Sequence, residues 1–140
     1  MIHSIDSLSL LQVVDKEAAK HDRVIDCLLQ FHIATEETKF GLDGQEAEAL
    51  LQSAEYRSMQ HVRVVGVMGM ATNTDNVTLI RAEFAHLREL FALLKERYFA
   101  SEDSFCEISM GMSHDYLTAM EEGSTMVRVG SAIFGARNYN

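Results

Sequence analysis

The sequence predicts an α/β protein: a parallel (β/α) barrel segment with about five of the eight βα units of the closed fold. Three observations predict it. Strand-like apolar runs alternate with helical stretches five times along the 140 residues. The intervening helices are long enough to serve as right-handed crossovers, which join parallel strands. The strands are apolar on one face and partly polar on the other, whereas central strands of a doubly wound sheet are apolar on both.

The first strand is Ile2–Ile5, and Ser7 opens a helical stretch, SLSLLQVVDKEAAKHD. The second strand, Val24–Ile33, places Ile25, Cys27, Leu29, Phe31 and Ile33 on one face, with Asp26, Gln30 and His32 among the residues opposite. After the loop TEETKFGL, Asp43 with Glu46 three residues on forms a capping box for a helix running to about Met59. Strand three is Val62–Met70. It leads through ATNTDN into a helix at Val77–Tyr98, where Ile80, Phe84, Leu87, Phe91, Leu94 and Tyr98 make one stripe. Strand four is Phe105–Met110, with Cys106, Ile108 and Met110 toward helices and Phe105, Glu107 and Ser109 opposite. A short helix, Tyr116–Glu122, precedes strand five at Met126–Val129, whose polar face carries Met126, Arg128 and Gly130. Ser131–Phe134 starts a final turn of helix.

An open five-stranded doubly wound domain of flavodoxin type matches the strand count but not the one-sided polar faces. A complete barrel takes about 250 residues. Residues 1–140 therefore read as one partial barrel segment, the C-terminal part of something larger. Its two sheet edges would need cover, and a homo-oligomer through those edges is expected.

Composition excludes several functions. A 47% hydrophobic content supports a real core, and a net charge of −9 without a Lys/Arg cluster argues against nucleic acid and anionic membrane surfaces. No apolar run approaches the roughly 18–20 residues of a membrane span. MIHSIDSL has neither the basic start nor the apolar core of a secretory signal. Cys27 and Cys106 lie in apolar runs and read as buried, reduced thiols, which suggests a cytoplasmic protein. The histidines show no metal-ligand spacing.

Ligands of parallel α/β folds bind at the C-terminal ends of strands. Three stretches fall there: Gly66–Ala71 with the loop after it, SMGMSHD at 109–115, and RVGSA at 128–132. The last two suit an anion, because Gly130 lets backbone approach and Ser113 and Ser131 offer hydroxyls. They also suit plain architecture, with Ser113 as a helix N-cap and Gly130-Ser131 as a turn. Arg128 has two readings as well. It faces a ligand, or it pairs with Glu107 on the same face of the neighbouring strand, since a buried guanidinium needs a partner. Gln30 and His32 read as interior polar residues with hydrogen-bond partners.

Taken in order, IHSIDSL, ETKFGL, GVMGMAT, SMGMSHD and STMVRVGSAIFGAR resemble the pyridoxal phosphate homeostasis protein family, whose members are single-domain, alanine-racemase-like barrels. The resemblance covers essentially the whole chain. It implies a fold-type III pyridoxal phosphate (PLP) barrel that carries or regulates PLP without turnover. Ser113, Gly130 and Ser131 match the phosphate-binding positions, and Arg128 matches the arginine facing the pyridine nitrogen. In this family a lysine on the first barrel strand, in an SKTKP-like motif, forms a Schiff base with PLP. That motif is absent here, as is the FIGHLQSNK-like motif of the third strand; the lysines are Lys16, Lys20, Lys39 and Lys95. The resemblance thus implies a retained phosphate half-site, no covalent lysine, and weak or absent PLP affinity. The alternative is a cofactor-free interaction module that associates through its sheet edges.

Overall fold

The computed structural model describes residues 1–36 and 40–139. Five strands form one sheet, β1 (Ile2–Ile5), β2 (Ile25–Phe31), β3 (Val62–Gly69), β4 (Glu107–Met112) and β5 (Met126–Arg128), in the spatial order β1-β2-β3-β4-β5. Every neighbouring pair is parallel. A doubly wound sheet reverses its strand order at a switch point. This one never does, so the architecture is the expected partial barrel.

The helices form where the caps dictate. Ser7 Oγ accepts the Leu10 amide at 3.1 Å and starts α1 (Leu8–Lys20). Asp43 and Glu46 close the expected capping box, with bonds of 2.8 and 3.1 Å, at the head of α2 (Gly44–Gln52). The helix expected to reach Met59 breaks at Ser53, whose backbone is extended. The Ser53 hydroxyl donates to the Leu50 carbonyl at 2.6 Å and accepts the Tyr56 amide at 3.1 Å. It thereby ends one helix and caps the next, α3 (Ala54–Ser58). Asn76 caps α4, which spans Val77–Tyr98 as the apolar stripe predicts. The last helices are α5 (Tyr116–Glu121) and α6 (Ser131–Phe134).

The main core lies between the sheet and the helices. Cys27, Leu29 and Phe31 of β2 meet Phe84, Leu87 and Leu94 of α4 there. The opposite face holds a much smaller cluster of Leu28, Val65 and Met68, with Met70 against it. On β3 a register shift pairs Cys27 with Val64 but Leu28 with Gly66, so Val64 and Val67 both face the helices. Gly66 is required there, because a Cβ at this position would lie 2.0 Å from the Glu107 carbonyl oxygen.

Two expectations about β4 need correction. The strand starts at Glu107, not Phe105. Phe105 belongs to the approach from α4, where its ring stacks on Phe91 and Phe99 at centroid distances of 5.0 and 4.1 Å. Cys106, expected in the core, is exposed because the residue precedes the strand and escapes its alternation. Cys27 is buried, and burial, with Asp26 nearby, pushes its thiol up to about 11. No helix among the described residues is long and apolar enough to cross a membrane.

Candidate functional site

Loops after the strands are tied down by side chains buried beneath them. Glu83 of α4 is buried, and its carboxylate accepts the Thr72 amide and hydroxyl at 2.7 Å each and the Thr35 amide at 3.0 Å. One acidic side chain thus fixes the ends of β2 and β3 at the same level. Gln30 and His32 find the expected partners in backbone: Gln30 donates to the Phe40 carbonyl at 3.2 Å, and His32 Nε2 meets the Glu36 carbonyl at 2.9 Å.

After β4 and β5 the chain opens into a cavity of about 1010 Å3. Ser113, Arg128, Gly130 and Ser131, four positions separated by up to 18 residues of sequence, all line it. Among the described residues its charged lining side chains are Arg128 and Arg137, with the His114 ring beside them, and no Asp or Glu lines it. In a chain of net charge −9 this is a local reversal of sign. Ser113 does not cap a helix. Asp115 precedes α5, and Ser113 Oγ instead accepts the Ala132 amide at 3.1 Å. The Ser131 hydroxyl is exposed to the cavity. At Gly130 a Cβ would meet nothing within 4 Å, so packing does not demand glycine. The missing side chain leaves open space in the cavity wall.

Arg128 does not pair with Glu107. Along the register Arg128 lies opposite Met112 at the end of β4, whereas Glu107 lies opposite Gly66 at its start. Five residues of strand separate the two levels, roughly 15 Å. The Glu107 carboxylate accepts the Thr125 hydroxyl at 2.7 Å. Arg128 Nη1 donates to Ser109 Oγ at 2.5 Å and Nη2 to the Gly69 carbonyl at 3.2 Å. Burial lowers the Arg128 pKa, and the Asp115 carboxylate opposes that shift. Among the described residues no carboxylate oxygen lies within 4.0 Å of the guanidinium. Its two neutral acceptors leave its charge available to a ligand.

Sequence reasoning missed His3. Its Nδ1 lies 3.0 Å from Ser109 Oγ, so β1, β4 and β5 meet across the concave face of the sheet. The available signal was a histidine inside the short strand IHSI, on a face that should be interior. Of the lysines, Lys16 and Lys20 lie on α1 and Lys95 on α4, away from the cavity lining; Lys39 falls outside the described residues.

The family model described as "Alanine racemase, N-terminal domain" matches residues 1–138. The chain belongs to that family. Within it, the similarity to pyridoxal phosphate homeostasis proteins extends along nearly all of the sequence. The protein of that name from Aquifex aeolicus is 38% identical over 140 residues, covering 99% of this chain and 59% of the relative. PipY of Synechococcus elongatus, solved with PLP bound, superimposes with a TM-score of 0.80 at 32% identity, covering 96% of this chain and 60% of PipY. Alanine racemase from Bartonella henselae shares the fold at a TM-score of 0.62 and 15% identity, over 97% of this chain and 35% of the racemase. The chain therefore spans less than two thirds of the length of these relatives.

Proposed function

We propose that this chain binds PLP without covalent attachment, as part of a PLP-holding protein that does no turnover. Ser113, Gly130 and Ser131 would hold the phosphate, and Arg128 would face the ring nitrogen. The observation that carries this reading is the convergence of those four residues on one cation-lined cavity with free space at Gly130. PipY, which has been solved both with and without PLP, adds support from the same family.

The residues present fit the group. A hydroxyl at Ser131 and the open backbone at Gly130 suit phosphate oxygens, and Ser113 orients the turn by holding the Ala132 amide. Bound PLP supplies a ring that withdraws electrons from whatever is attached to its aldehyde carbon. A guanidinium beside the ring nitrogen disfavours a proton there, which suits holding the cofactor better than deep carbanion stabilisation. Glu107, which the sequence offers as an internal partner for Arg128, accepts the Thr125 hydroxyl instead and does not compete with a ligand for the guanidinium.

The deciding experiment is a PLP titration followed by borohydride trapping and intact mass. Saturable binding without a trapped adduct, lost in Arg128→Ala and Ser131→Ala, is expected. A stoichiometric adduct on one lysine would overturn the non-covalent reading, and no saturable binding would overturn the assignment.

A further inference from the structure

Ser109 has a side chain that is completely buried, and its hydroxyl has two neighbours. One is Arg128 Nη1 at 2.5 Å, a group that can only donate. The other is His3 Nδ1 at 3.0 Å. A buried hydroxyl needs an acceptor for its own hydrogen, and leaving it without one costs about 1–3 kcal/mol. Since the guanidinium cannot accept, the Ser109 hydrogen goes to His3 Nδ1. That assignment determines the imidazole: Nδ1 carries the lone pair, Nε2 carries the hydrogen, and the ring is neutral.

The consequence runs along the chain of bonds. With its hydrogen directed at His3, Ser109 turns its lone pairs toward Arg128. The Gly69 carbonyl takes the second guanidinium nitrogen at 3.2 Å, so the planar group is held at two points. Protonating His3 would add a hydrogen at Nδ1 and reverse the first bond. Ser109 would then face two donors, with no acceptor for its own hydrogen, and two cations would share one oxygen.

We propose that His3 is a positioning residue for Arg128: as a neutral imidazole accepting the Ser109 hydroxyl at Nδ1, it aims Ser109 at the guanidinium, and protonation releases that hold. The candidate site therefore carries a built-in response to acid. Its electrostatic surroundings favour the neutral ring. Burial lowers the pKa of His3 most, followed by the Arg128 cation on β5 and the chain's amino terminus on the β1 side. Asp115 acts on Arg128 from the turn between β4 and α5. The interior-facing residues of β2 and β3 nearest this level, Leu28, Val65 and Met68, carry no charge. The structural part of the proposal stands on the hydrogen bonds alone; its effect on PLP rests on the binding reading above.

Two measurements on the full chain separate these parts. Nitrogen-15 NMR of the histidine rings and arginine side chains is recorded through a pH titration without ligand. The expected result is a neutral His3 with hydrogen on Nε2 at neutral pH, and Arg128 side-chain resonances that move with the His3 midpoint. His3→Gln, whose amide oxygen can still accept from Ser109, keeps the neutral-pH Arg128 resonances and abolishes their titration; His3→Leu loses them. A hydrogen on Nδ1 at neutral pH, or Arg128 resonances indifferent to His3, would overturn the proposal. The second measurement is PLP affinity at about pH 7.5 and about pH 5.5. The phosphate itself titrates in this range, so the comparison is between proteins. Wild type should lose about threefold more affinity than His3→Gln, equivalent to half a pKa unit of coupling. Equal losses would overturn the link to the site. If neither protein binds PLP, the binding reading falls, and the NMR titration alone decides whether His3 positions Arg128.

Discussion

The Ser113 hydroxyl accepts the Ala132 amide at 3.1 Å, joining the turn after β4 to the turn after β5. This single bond sets the spacing of the two segments that bring hydroxyls to the cavity. Ser113→Ala should lower stability by about 1 kcal/mol in urea denaturation, the usual worth of one such bond. PLP affinity should fall by a larger factor, about tenfold, because the ligand loses an oriented turn. Ser113→Thr restores both if the hydroxyl is what matters. An affinity loss no greater than the stability loss would assign Ser113 to packing alone.

Gly130→Ala separates folding from binding. The added methyl meets no atom within 4 Å, and the backbone φ of −109° is open to alanine. Stability should stay within about 0.5 kcal/mol of wild type. The methyl would occupy space in the cavity wall, so PLP titration should show about a tenfold loss of affinity. Unchanged binding would remove Gly130 from the site.

Gly66→Ala should do the reverse and act on the fold. The new Cβ would sit 2.0 Å from the Glu107 carbonyl oxygen, a backbone atom that cannot step aside without moving β4. A loss of about 3 kcal/mol is expected in denaturant unfolding. A near-neutral result would mean that β4 shifts freely relative to β3.

His3 also makes the fold sensitive to acid. Its pKa in the folded chain is lowered, chiefly by burial, so the unfolded chain binds more protons below the ordinary histidine value. The His3 contribution to stability is therefore flat above about pH 6.5 and falls as pH drops from there toward the lowered folded value. Thermal unfolding across this window should show a steeper acid loss in wild type than in His3→Gln. Identical slopes would mean that His3 titrates alike in both states.

The sheet has two edges without a partner strand among the described residues, β1 and β5. Open edges invite pairing, and we expect the isolated chain to associate through them. Sedimentation should detect species heavier than the 15.7 kDa chain, with a concentration-dependent distribution. A monomer at every accessible concentration would refute self-association.

Much of the fold was legible because the relevant signals are local. The stripe on Val77–Tyr98 and the Asp43–Glu46 box each operate within a few residues, and both elements start where expected. The break at Ser53 was less visible. The serine competes for backbone groups on both sides, and the apolar pattern continues across it. The start of β4 was misjudged for a tertiary reason: Phe105 looks like a strand residue, but its ring is recruited by Phe91 and Phe99.

Sequence alone determined the βα alternation, the starts of the helices other than α3 and four of the residues that line the cavity, since periodicity, caps and motifs are written in neighbouring positions. Only the tertiary structure decided what those residues touch. Strand register placed Glu107 and Arg128 at different levels of the sheet, so the expected ion pair does not form. Sheet curvature brought His3 to Ser109 across 106 residues of chain. Neither outcome could be read from spacing, because register and curvature depend on the bulges, the close approach at Gly66 and the packing of helices against the sheet.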